Sequence, residues 1–260
     1  MKKVGIYRTR DPNGRDLVFN RAYEKILLHN RIDCLRLEAE DAGFWDLITE
    51  LDLFILRWYQ IDSHIQLARD LLPVIENDLS VPCFPDQNTC WHYDDKIKQY
   101  LILAPRGFPM VKSYIFWDPE KALEWAGTAS YPLVFKLRGG AGSENVILVE
   151  NRNRAVGLIK RMFGRGIYPG RFFHSGSVRF RHFNFYREFH HICGNLYRKS
   201  RGLDPSPCWR VHKNYALFQE FIPDNRFDTR VTVIGDRAFI FRRLTRDGDF
   251  RASGSGRIDY

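Results

Sequence analysis

The chain has 260 residues, is 44% hydrophobic and 15% aromatic, and carries a formal net charge of +9. At about 150 residues per domain this length predicts two units, and so apolar a composition excludes a disordered or fibrous chain. No apolar run approaches the ~18 residues of a membrane-spanning helix, so an integral helical membrane protein is also excluded. The start, Met1-Lys2-Lys3-Val4-Gly5-Ile6, lacks the apolar stretch of a secretory signal. The five cysteines, Cys34, Cys83, Cys90, Cys193 and Cys208, are odd in number and scattered. That argues against a disulfide scaffold and for a reducing, cytoplasmic setting. The charge is uneven. Residues 151–215 hold 14 Lys and Arg against Glu188 and Asp204, a local +12, while the remainder sums to −3. Such a patch concentrates anions at one place.

In chain order, the first ~90 residues alternate short strands and helices. Strands are expected at 4–7, 34–37, 52–57 and 81–84, with helices at 16–30, 44–51 and 64–78. The segment Asp52-Leu53-Phe54-Ile55-Leu56-Arg57 is almost continuously apolar, as for a strand covered on both faces. This β-α-β-α-β order predicts a parallel sheet with packed helices. Beyond it the pattern changes to a mixed α+β unit. Asp94 and Asp95 precede a helix at 96–103 and can cap it. Gly107-Phe108-Pro109 breaks the chain. A strand follows at 113–117, and Asp118-Pro119-Glu120 opens a helix with Pro near its first position. Strands at 133–137 and 145–150 flank a glycine-rich turn, and 155–163 reads as a helix. Residues 164–215 mix bases and aromatics with no clean period. Strands return at 217–222, 230–234 and 238–241, the last two joined through Gly235-Asp236, a hairpin signal. The end, 247–256, has a loop composition.

Two stretches carry the chemistry. The first is Pro132-Leu133-Val134-Phe135-Lys136-Leu137-Arg138-Gly139-Gly140-Ala141-Gly142-Ser143. A strand holds the lysine, and the glycines let backbone N–H groups approach phosphate oxygens. No Gly-Lys-Ser/Thr follows, so this is not a Walker A loop. Taken alone, a flexible turn explains it as well. The second is Phe218-Gln219-Glu220-Phe221-Ile222-Pro223, followed by Asp228-Thr229-Arg230, then Arg242-Arg243 and Phe250-Arg251.

Lysine, glycine-rich loop, Gln-Glu-Phe-Ile segment and Asp-x-Arg in this order resemble the ATP-grasp superfamily, the carboxylate–amine/thiol ligases. The pattern is nearest to the group that adds glutamate to peptides or proteins. The resemblance covers residues 88–256, and residues 1–88 look like the nucleotide-fold domain that precedes the ATP-grasp pair. It implies an α/β fold: a Rossmann-like pre-ATP-grasp domain at 1–88, a first ATP-grasp subdomain at 89–163, a basic aromatic insert at 164–215 and a second, incomplete subdomain at 216–260. It further implies ATP with Mg²⁺ as cofactors, and a carboxylate activated to an acyl phosphate and passed to an amine or similar nucleophile. Lys96 and Lys136 match the family's phosphate-contacting lysines. Gly139, Gly140, Ala141, Gly142 and Ser143 match its phosphate-covering loop. Glu220, Phe221 and Ile222 fall where backbone meets adenine, and Gln219 where a side chain reaches the exocyclic amine. Asp228 matches the acid that binds the ribose hydroxyls. Arg243 and Arg251 match arginines near the transferred phosphate and the carboxylate substrate. Lysines and arginines so placed offset the charge that develops in phosphoryl transfer.

Two departures stand out. Ser253 occupies a position that is usually asparagine in the glutamate-adding group. The family's magnesium ligands, an acid and a Glu-x-Asn, come later than Tyr260, so the resemblance implies a fragment or a truncated form with metal ligands beyond residue 260. The small-molecule or peptide substrates are expected to be anionic, recruited by the 151–215 segment, with nucleic acid ranked below them, no membrane partner and a homo-oligomer left open. A non-catalytic ATP-binding protein and an RNA-binding module, with Phe172, Phe173, Phe180, Phe183, Phe185 and Tyr186 stacking on bases, are the rival readings. Cys83, Cys90 and His92 lack a fourth ligand at zinc spacing. His190-His191 with Cys193 reads as surface or packing.

Overall fold

The computed structural model describes residues 2–11, 14–139, 145–167 and 211–260, with Cys193, Tyr197 and Ser200. The insert at 164–215, its basic residues and its aromatics lie almost entirely outside the described residues. The described chain forms two compact units, residues 2–93 and residues 94–167 with 211–260. No helix among them is long and apolar enough to cross a membrane.

The first unit runs β1 (Lys3–Tyr7), α1 (Val18–His29), β2 (Asp33–Leu37), α2 (Phe44–Thr49), β3 (Leu53–Ile55), α3 (Asp62–Pro73), a π-helical stretch (Val74–Asp78), β4 (Cys83–Phe84) and α4 (Gln87–His92). All four strands are parallel, in the order β2-β1-β3-β4. Both faces are covered, which explains the continuous apolar runs. Tyr7, Phe44, Ile48, Phe54, Leu72 and Ile75 pack on one face; Val4, Ile6 and Ile55 pack with Tyr23 and Leu27 on the other. Gly5 sits where a Cβ would meet Leu51 Cδ1 at 2.5 Å and Leu37 Cδ1 at 2.9 Å, so close packing against β1 requires glycine. Cys83 and Cys90 donate to Val81 O and Pro85 O. Burial pushes both thiols up to about 12, which keeps them protonated. His92 is exposed.

The second unit contains α5 (Lys96–Leu103), β5 (Ser113–Phe116), α6 (Pro119–Thr128), β6 (Leu133–Lys136), β7 (Val146–Val149), α7 (Arg152–Phe163), β8 (Ala216–Glu220), β9 (Phe227–Ile234), β10 (Arg237–Leu244) and β11 (Ile258–Asp259). Three helices carry side-chain caps: Asp95 accepts from Ile97 N and Lys98 N, Asp118 from Lys121 N, and Asn151 from Arg154 N. One antiparallel sheet has the order β5-β8-β6-β7 and a second the order β11-β10-β9. In the first, Leu133 pairs with Glu220, Val134 with Gln219 and Phe135 with Phe218. Because side chains alternate, this register fixes both faces. Leu133, Phe135, Phe218 and Tyr114 share one face, where Trp125 of α6 packs on Tyr114, Phe116 and Phe218. Val134, Lys136, Gln219 and Ser113 share the other. The second sheet is built differently: neither β9 nor β10 holds a buried residue. Gly235 takes φ +61° in their tight turn.

Candidate functional site

Lys136 closes β6, and its Nζ donates to Gln219 Oε1 of β8 at 2.5 Å. Gln219 Nε2 donates in turn to Ser113 Oγ at 3.0 Å and Val111 O at 3.4 Å, which fixes the amide with its carbonyl toward the lysine. The partner of this half-buried cation is therefore a neutral amide. Burial, and then the neighbouring Lys96 ammonium, push Lys136 down to about 8. Burial also pushes Lys96 down, against the pull of Asp94 and Asp95. Two lysines 40 residues apart in sequence thus lie close enough to repel one another.

The approach to this pair is braced. Lys96 N donates to Arg138 O at 2.8 Å, tying the start of α5 to the segment after β6. Asp95 caps α5 and also pairs with Arg138 Nε at 3.0 Å. Arg138 N donates to the Tyr215 hydroxyl at 3.0 Å, and that hydroxyl lies 2.7 Å from His212 Nδ1. Burial pushes the Tyr215 phenol up, so it stays protonated. A Cβ on Gly139 would meet only ordinary contacts, the nearest being Asp94 O at 3.7 Å. Packing within the protein does not demand glycine there. What glycine preserves is open backbone. Gly140, Ala141, Gly142 and Ser143 lie outside the described residues. Asp95→Ala removes a cap serving two N–H groups and the Arg138 pair, so unfolding free energy is expected to fall by roughly 1–2 kcal/mol. Urea melts check this, and Asp95→Asn should recover most of the loss, since the amide oxygen still caps.

At the end of β8, Glu220 Oε1 accepts from Tyr114 Oη at 3.0 Å; beyond it Phe221 meets Phe250 edge-on at 5.7 Å, and Ile222 is exposed. The second sheet and the segment between β10 and β11 hold the remaining predicted residues in separate clusters. Asp228 and Arg243 form a bidentate pair at 2.6 and 2.9 Å, and Arg243 Nη1 also donates to Ser253 Oγ at 3.1 Å. Arg251 grips Asp249 through Nε and Nη2 at 2.8 and 2.6 Å. Burial raises the Asp249 carboxyl, but the Arg251 hydrogen bonds outweigh it and hold the group below its ordinary value. The structure therefore gathers Lys96, Lys136, Gly139 and Gln219 in one place, pairs Asp228 with Arg243, and leaves Arg251 with Asp249. Sequence reading missed Ser113, Arg138, His212 and Tyr215, which hold the first group. Two of them had a sign in the sequence: Ser113 opens the strand expected at 113–117, and Arg138 stands inside the glycine-rich stretch 132–143.

Among the described residues, no set fit for a magnesium ion is assembled. Both carboxylates just described are already held by arginine, and the described residues contain no cluster of three His, Cys, Asp or Glu side chains. No step is routed through a metal here.

No protein-family model matches the chain, and no curated protein matches it. Solved structures do. D-alanine–D-alanine ligase from Bacillus anthracis aligns with a TM-score of 0.50 at 11% identity, over 97% of this chain and 70% of that one. D-alanyl-alanine synthetase A from Vibrio cholerae gives 0.51 at 10%, over 96% and 69%. The ATP-grasp ligase PsnB, complexed with a minimal precursor, gives 0.50 at 14%, over 97% and 75%. The chain has the ATP-grasp fold, preceded by a Rossmann-like parallel sheet. The glutamate-adding group is not singled out among these neighbours.

Proposed function

We propose that the chain binds ATP on the Lys136–Gln219 face of the first antiparallel sheet and uses it to join a carboxylate to an amine. The observation that carries this reading is the Lys136 ammonium, half-buried against a neutral amide and repelled by Lys96. Desolvation and the Lys96 charge both disfavour the Lys136 ammonium, and a polyphosphate favours it. In this reading Lys96 and Lys136 take phosphate oxygens, and the backbone of Gly139 to Ser143 closes over them. Gln219 Oε1 accepts from the exocyclic amine, and the backbone of Glu220, Phe221 and Ile222 meets the adenine edge. Asp228 accepts from the ribose hydroxyls. Arg243 and Arg251 face the transferred phosphate and the carboxylate.

The chemistry follows. A carboxylate oxygen attacks the γ-phosphorus, the bond to the β-phosphate oxygen breaks and ADP leaves. The amine attacks the acyl carbon, phosphate leaves with the bonding pair, and the amine nitrogen sheds its proton. Solved neighbours named as D-alanine ligases, and one named as an ATP-grasp ligase with a precursor, support this class of reaction. Anionic substrates recruited by the basic 151–215 segment and a cytoplasmic setting belong to the same proposal.

The test is phosphate release by the full chain with ATP, Mg²⁺ and a panel of amino acids and short peptides. Carboxylate-dependent release is expected, and its absence despite ATP binding would overturn ligation. Asp228→Ala should weaken ATP more than free triphosphate, which has no ribose. Equal weakening would make Asp228 only the structural partner of Arg243. One observation favours a second reading, ATP binding without turnover: among the described residues, Asp228 and Asp249 are both already held by arginine.

A further inference from the structure

The first antiparallel sheet has a second face, away from Lys136 and Gln219. Register places Tyr114 there, opposite Phe218, and Glu220 opposite Leu133. Lys112 precedes β5 and accepts on its carbonyl from Glu220 N at 3.0 Å, so the two are cross-strand neighbours at the sheet's end. Beside them opens a cleft of about 660 Å³, lined among others by Trp125, Tyr131 and Phe221. That volume lies within the range of small-molecule sites, which combine apolar walls with a few convergent polar groups.

The polar groups here are of opposite sign. No ion pair joins Lys112 to Glu220 among the described residues. Tyr114 stands between them: Lys112 Nζ lies 5.3 Å from its ring centroid, and its hydroxyl donates to Glu220 Oε1 at 3.0 Å. Trp125 packs 4.8 Å from the same ring. The Tyr131 hydroxyl is already spent on Ala126 O at 2.8 Å. A simple amine entering this cleft would meet the lysine's like charge, and a simple acid would meet Glu220's. A molecule with both charges on a short spacing, and an apolar body, satisfies each wall.

We propose that this cleft binds a zwitterionic α-amino acid with an aromatic or branched apolar side chain. Its carboxylate meets Lys112, its ammonium meets Glu220, and its side chain packs against Trp125 and Tyr131. The site lies on the opposite face of the sheet from the lysines assigned to phosphate, and it shares with the ATP reading only the Glu220–Phe221 segment, through side chains here and backbone there.

Saturation-transfer NMR on the full chain, without ATP, tests it with phenylalanine, tryptophan and leucine. Phenethylamine and 3-phenylpropionate serve as controls carrying one charge each. Saturable amino-acid binding is expected, with each control weaker by roughly twofold to fivefold, the worth of one solvent-exposed ion pair. Lys112→Ala should weaken the amino acid by a similar factor, and Ser130→Trp, which fills the cleft from an exposed position, should abolish binding. ATP binding by both variants should be unchanged, which shows that they fold. The proposal is overturned if none of the three amino acids saturates, if phenethylamine binds as well as phenylalanine, or if both variants bind like the parent.

Discussion

Lys136→Ala is expected to lower ATP affinity by roughly tenfold to a hundredfold, the loss of one charge-assisted contact to phosphate. The fold should survive, since Lys136 ends its strand and its ammonium is held by one side chain. Titration calorimetry checks both the loss and a pH signature. Burial and Lys96 hold Lys136 at about 8, so the free protein carries a partly deprotonated amine above neutrality. Phosphate oxygens stabilise the ammonium, so binding at pH 8–9 should take up a proton, and affinity should fall as pH rises past 8. The sign for stability runs the other way. The folded value lies below the ordinary 10.5, so the unfolded chain binds more protons between about 8 and 10.5, and stability gains from rising pH there. Lys136→Met should flatten that gain in urea melts run across this window. Parent-like ATP affinity in the alanine variant would remove Lys136 from the site.

Much of the first unit is legible because its information is local. The alternation of apolar runs and helical spacings between residues 4 and 84 maps onto a parallel sheet of order β2-β1-β3-β4. Where expectation and structure part, a specific residue is responsible. The helix expected at 64–78 begins at Asp62 and changes to π-helical hydrogen bonding directly after Pro73, which has no N–H to give. The helix expected from 155 begins at Arg152 because Asn151 caps it. Strands β9 and β10 run further than 230–234 and 238–241, with Asp228 and Arg243 paired across their ends; that partner lies 15 residues away. The site is less legible for the same reason. Lys136 and Gln219 are 83 residues apart, and only the register of Val134 with Gln219 brings them to one face. Their types and order were readable, but not the amide that Ser113 and Val111 lock toward the lysine. The strand expected at 217–222 does put Gln219 and Glu220 on opposite faces by its period of two, but not which of those faces meets Lys136.

That register depends on the aromatic stack behind it, so Phe218→Ala should have the largest effect on stability. Phe218 is fully buried, 5.1 Å from Trp125 and 5.2 Å from Phe135, and pairs across β8 with both Tyr114 and Phe135. Truncation leaves a cavity in a core with few ways to collapse, because Trp125 is already engaged with Tyr114 and Phe116. The expected cost is about 3–5 kcal/mol, a large part of the roughly 5–15 kcal/mol that holds a domain together. Phe239→Ala is the matched control. It removes the same ring from β10, where Phe239 is 51% exposed, and should change stability by no more than about 0.5 kcal/mol. Urea melts on both variants, with near-ultraviolet circular dichroism to follow the aromatic stack, decide the point. Equal losses would mean that the two sheets share one cooperative core. A large loss from Phe218 alone would place the stability of the Lys136 site in the stack on the far face of its own sheet.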